Sequence, residues 1–259
     1  MFKLRSPWQK EWQKLLKKEI ELTERKKLKK ETKLNTLLAQ KVPPNLQGTL
    51  DAAFAKAFTI VFEKGTGVIE KTYNKQKLSQ QFEINSYTHK VKQNRKSLKT
   101  FSKTANRKGT GNLLFSGVSG VGLGVLGIGI PDIVLSVAVM LKSVYEISLS
   151  YGYDYKQDEE KQFILCLIRA AVSREDFEIH NNAVDAFILN EHMPQQISLA
   201  ENIQQTAALL SRELLYMKFL QGIPVVGAVG GAYDFVYTKQ ILDYAKIKYY
   251  KRFLLENKR

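Results

Sequence analysis

Catalysis needs nucleophiles, acids, bases or metal ligands held close together, and this chain is sparing with all of them. It has three histidines (His89, His180 and His192) and one cysteine, Cys166, and their separations match no metal-ligand spacing. Cys166 stands in the apolar run Phe163-Ile164-Leu165-Cys166-Leu167-Ile168, which predicts a buried structural thiol rather than a reactive one. No Gly-x-Ser-x-Gly elbow is present: Ser116-Gly117 and Ser119-Gly120 lie in an apolar glycine tract with no base beside them. Gly122-x-Gly124-x-x-Gly127 matches the dinucleotide fingerprint. That motif needs a strand before it and an acidic residue on a second strand after it, and neither is legible here. There is no Gly-Lys-Ser/Thr, hence no Walker loop. No cofactor and no metal are therefore expected. Asp132 and Asp234 each interrupt an apolar, glycine-rich stretch. They read as helix caps, with a carboxylate pair as the alternative. The inventory points to binding rather than catalysis.

The elements around those aspartates are two glycine-rich segments that echo each other. Each contains Gly-Ile-Pro, at residues 129–131 and 222–224, so Pro131 and Pro224 stand in equivalent places with Gly222 opening the second block. Each contains a small-xxx-small step, Gly120 with Gly124 and Gly227 with Gly231, and Gly127 extends the first. Glycine at every fourth helical position makes a flat groove that lets two helices approach closely. Leu113 to Pro131 runs nineteen residues without a charge, a length that suits a membrane helix. Ile133 to Leu141 adds nine more, but against one long rod over both stand the glycines, at about 1 kcal/mol each in a helix, and the break at Pro131-Asp132, which puts a carboxyl in its middle. Two short helices meeting at Gly129-Ile130-Pro131-Asp132 fit better. The resulting hairpins can pack inside a helical domain, enter one leaflet, or span.

The remaining chain reads as helix throughout. Ser6-Pro7 starts an amphipathic basic helix with Trp8 and Trp12 on one side and Lys14, Lys17 and Lys18 elsewhere on its surface. It either docks on the core with a solvated lysine face or lies in a membrane interface. Leu50, Phe54, Ala57, Phe58, Val61 and Phe62 mark a second apolar stripe. Residues 75–108 are basic with few apolar anchors, which predicts a thin-faced helix for part and a mobile connector for the rest. Helices follow over 161–172, 175–190 and 195–218, and a basic, tyrosine-rich helix runs from Gln240 to Leu255. The fold class is all-α: a multi-helix bundle with two glycine-rich apolar helical hairpins. It divides into a basic N-terminal helix, 1–41, and one helical domain, 42–259.

Charge gives the partner. The net charge of +15 is concentrated in residues 1–41 (+8), 64–108 (+10) and 239–259 (+5), while 109–238 carries −7. Such asymmetry seeks anions. The first forty residues lack the apolar run of an export signal, and a lone cysteine suits a reducing compartment, so a cytoplasmic protein is expected. The expected partner is the anionic inner face of the cytoplasmic membrane. A nucleic-acid-binding module is the rival reading, against which stands the lack of a reader motif. A further rival is an uncharacterised enzyme on lipid or peptide using Asp132 and Asp234. The sequence leaves the oligomeric state open.

One order of features carries a resemblance. The stripe Ala53-Phe54-Ala55-Lys56-Ala57-Phe58 precedes Gly129-Ile130-Pro131-Asp132 and Leu141-Lys142-Ser143-Val144-Tyr145-Glu146-Ile147. Tyr151-Gly152-Tyr153 and Glu160-Lys161-Gln162-Phe163-Ile164-Leu165 come next, then the block from Ile223 to Asp234 and Lys251-Arg252-Phe253-Leu254. Across most of 45–255 this resembles the EcsC family. The family takes its name from an operon that also encodes an ABC-type ATPase and its membrane subunit, linked to protein secretion and processing. The resemblance implies a link to such a transporter; joined to the missing catalytic motifs and the basic helices, it gives the expectation of a non-enzymatic, membrane-associated accessory protein. It brings no catalytic residues.

Overall fold

Ser6 opens the first helix as its sequence predicts, through a reciprocal cap. The Gln9 N–H donates to Ser6 Oγ at 3.1 Å, and the Ser6 N–H donates to Gln9 Oε1 at 2.8 Å. The computed structural model describes residues 5–27, 44–111, 131–190, 197–220 and 232–258. Among the described residues the fold is all-α, with no strand. Helix α1 (Pro7–Lys27) is followed by α2 (Pro44–Ile60), which widens into a π turn at Val61–Gly65 before the short α3 (Thr66–Glu70). Then come α4 (Lys75–Lys92), α5 (Arg95–Gly111), α6 (Pro131–Ser150) and α7 (Asp158–Val172). The chain continues through α8 (Phe177–Asn190), α9 (Leu199–Leu220) and α10 (Ala232–Glu256).

Two helices organise the rest. Helix α10 packs against α1, α5, α6, α7 and α8, and α6 packs against α2, α4, α5 and α10. Helix α9 lies across α2 and α7. Along α6 the window Ile133–Ser150 has a mean hydropathy of 1.6. It is the described helix long and apolar enough to cross a membrane, and 78% of it is buried inside the fold. Its apolar character is thus used in the core.

The basic stretch 75–108 is not part connector. It forms a helical hairpin, α4 and α5, with the start of each helix capped. Asn74 Oδ1 accepts from the Lys77 N–H at 2.7 Å, and Asn94 Oδ1 accepts from the Ser97 N–H at 2.9 Å. Gln93 closes α4 in the left-handed region, at φ 42°. A few large anchors suffice: Leu78, Leu98 and Phe101 are buried, with Phe101 packed on Phe253 of α10 at 4.3 Å between ring centroids.

The Tyr151-Gly152-Tyr153 turn after α6 locks onto the hairpin. Gly152 has φ 88°, and a Cβ there would lie 2.4 Å from the Phe82 ring, so both backbone and space demand glycine. The positions expected to form the glycine-rich hairpins (Gly120, Gly124, Gly127, Gly222, Pro224, Gly227 and Gly231) lie outside the described residues. Pro131 and Asp132 open α6, and Asp234 falls in the first turn of α10; their side chains are likewise outside the described set.

Candidate functional site: a basic groove between three helices

Helices α1 and α5 sit side by side over α10 and leave a groove of about 420 Å³ between them. Its position follows from helical spacing. On α1, Lys14, Lys18, Glu21 and Arg25 recur every three or four residues and form one wall, with Leu15 and Leu22 at its foot. On α5, Lys99 and Lys103, one turn apart, form the other. Ile247 and Tyr250 of α10 make the floor, the same helix adds Lys246, and Tyr151 closes the groove. Six Lys or Arg side chains face three carboxylates there: Glu11, Glu21 and Asp243. Glu11 is already bound by Arg95, and Asp243 by Lys239 at 2.6 Å. Among the described residues Lys14, Lys18 and Lys103 have no carboxylate partner. Burial holds the Lys246 ammonium below its ordinary value; Asp243 opposes this, and Lys239 and Lys18 add to it. The groove therefore carries uncompensated positive charge over an apolar floor.

Buried ion pairs fix the walls. Glu11, 2% exposed, accepts from Arg95 Nε at 2.6 Å and from the Tyr250 hydroxyl at 3.2 Å, so one carboxylate ties α1 to both α5 and α10. Lys248 of α10 is 0% exposed and pairs with Glu19 of α1 and, at 2.7 Å, with Asp185 of α8. Lys251 reaches the same two carboxylates, each at 3.0 Å. Burial alone would lower the Lys251 pKa, but Asp185 and Glu19 outweigh it and hold the value up. Farther along α10, Arg252 pairs with buried Glu160 at 2.7 Å and stacks over Tyr153 at 4.0 Å. Glu160 also accepts from the Tyr249 hydroxyl. Burial raises its pKa despite both partners.

Trp8 and Trp12 are half-buried against the core and stack on each other with centroids 5.2 Å apart. The Trp8 indole N–H donates to the Leu254 carbonyl at 2.7 Å, docking the start of α1 on the end of α10. Lys14, Lys17 and Lys18 stay exposed, and the first and last line the groove. Reading the sequence alone missed Arg25, Lys99, Lys103 and Lys246. The charge runs over 64–108 and 239–259 were the available signal, but they do not say which lysines converge. The last helix is also less available than its composition implies, because Lys248, Lys251 and Arg252 are turned inward to carboxylates. Cys166 is buried, beside the Arg169 guanidinium at 3.2 Å.

A family model described as the EcsC protein family matches residues 9–254. Protein EcsC of Bacillus subtilis (strain 168) is similar at 21% identity over 262 residues, covering 95% of this chain and 93% of that protein. No solved structure gives a match.

Proposed function

The chain belongs to the EcsC family, and from that premise we propose that it is a non-enzymatic accessory protein at the inner face of the cytoplasmic membrane. It attaches by holding anionic lipid headgroups in the groove of α1, α5 and α10. The observation that carries this reading is the convergence there of Lys14, Lys18, Arg25, Lys99, Lys103 and Lys246 over an apolar floor. Lysines and arginines close to an anionic surface contribute roughly 1 kcal/mol each, so such a cluster supports reversible attachment. Its ammonium groups suit phosphate oxygens as point charges, and Arg25 can add a bidentate contact. The protein partner proposed with it is the membrane subunit of an ABC-type transporter.

Fractionation of the tagged protein from its native cells tests the proposal. Sedimentation with membranes and release by a high-salt wash is the expected result. A protein found wholly in the soluble fraction, or one that survives both salt and alkaline carbonate, would overturn surface attachment. Duplex DNA competing equally with anionic vesicles at the same charge concentration would favour a nucleic-acid partner instead.

A further inference from the structure

Helix α4 leaves an apolar stripe without a partner. Ile84, Tyr87 and Val91 are 59%, 72% and 64% exposed and recur at steps of three and four, so they share one face of the helix. The opposite face carries Leu78 and Phe82, which pack inward. Three large apolar side chains in a row on the solvent side of one helix differ from the single exposed residues that any surface carries.

The charge around the stripe says what covers it. Residues 75–111, the α4–α5 hairpin, carry ten Lys or Arg and a single acid, Glu83. Lys77 continues the stripe at its N-terminal end, seven residues before Ile84, and Lys90 and Lys92 flank Val91. A protein partner would have to present an acidic rim to so uniform a surface. An anionic bilayer offers negative headgroups above acyl chains, and basic side chains can reach those headgroups while their stems and neighbours go deeper. Tyr87, with a ring and a hydroxyl, suits the boundary between them. We infer that the outer face of α4 is the apolar contact of this protein with an anionic bilayer, on the hairpin whose second helix, α5, walls the headgroup groove. The inference rests on the membrane-surface reading and adds which face goes down. It moves the apolar contact from Trp8 and Trp12, which are spent on docking α1, to Ile84, Tyr87 and Val91.

The buried Cys166 makes a site-specific test feasible, because a thiol introduced at the surface is labelled in preference to it. A polarity-sensitive fluorophore is placed on Tyr87→Cys and, for comparison, on Ile179→Cys, at an exposed position of α8, which packs on α7 and α10. Each is mixed with vesicles of anionic phospholipid whose acyl chains carry bromine. Quenching several-fold greater at position 87 than at position 179 is expected. Ile84→Ser/Tyr87→Ser/Val91→Ser should bind these vesicles at least tenfold more weakly while keeping its dependence on salt. Vesicle-bound protein with no quenching at position 87 would overturn the inference and leave surface attachment standing. Absence of vesicle binding altogether would overturn both.

Discussion

A lysine without exposed surface is tolerable only where carboxylates surround its ammonium, as Glu19 and Asp185 surround that of Lys248. Replacing a whole buried pair by apolar groups is often near neutral, whereas removing one side of it leaves the other charge unpaired. Lys248→Met should cost less than Glu19→Ala/Asp185→Ala, because Lys251 still meets both carboxylates, and the double variant, which strands the fully buried ammonium, should cost about 3–5 kcal/mol in urea denaturation. At Gly152 a side chain meets both a positive φ and the Phe82 ring, so Gly152→Ala should cost about 1–3 kcal/mol by the same measurement. Some of this scale was legible in the sequence. The apolar run around Cys166 announced its burial, because side chains on every side of that position are hydrophobic. The inward turn of Lys248, Lys251 and Arg252 was not, because carboxylates 63 or more residues away decide it.

Helix α10 shows what burying polar side chains on one element does to stability. Tyr244, Tyr249 and Tyr250 are all raised above the ordinary tyrosine value of 10.0, first by burial and then by the carboxylates Asp185, Glu160 and Glu11 respectively. A folded value above the unfolded one contributes stability that is full below pH 10 and lost as the pH climbs toward the folded value. Stability should thus be insensitive to these groups up to about pH 10, then fall by about 1.4 kcal/mol per pH unit for each tyrosine. Lys251, raised above 10.5, acts in the same direction. Urea midpoints measured across this range check the fall, and tyrosinate absorbance should appear with unfolding rather than before it. The existence of this helix was legible from its end, Gln240 to Leu255. Its central place was not, because a helix mixing tyrosines with lysines reads as surface until its partners are known. The α4–α5 hairpin misled in the opposite sense: few anchors suggested a connector, but Asn74 and Asn94 cap its helices and Phe101 reaches α10.

Across the whole molecule the charge is divided by use. Carboxylates from α1, α7 and α8 neutralise the basic side chains that face inward from α10, while Lys14, Lys18 and Lys103 remain in the groove without carboxylate partners among the described residues. The all-α class was legible from periodicity and from the lack of any alternating strand pattern. The groove was legible only as charge runs, since its walls come from segments roughly eighty residues apart in the chain and its floor from the far end. Its charge should govern attachment, and because the lysines are exposed, substituting them should leave the fold intact. The measurement that bears most directly on attachment is co-sedimentation of the native protein and of Lys14→Glu/Lys18→Glu/Lys103→Glu with anionic and with neutral phospholipid vesicles as salt is raised. The native protein should bind the anionic vesicles and be released by salt, and the triple variant, helical by circular dichroism, should lose that binding. Equal binding to both vesicle types, or a triple variant that binds as the native protein does, would contradict attachment through the groove.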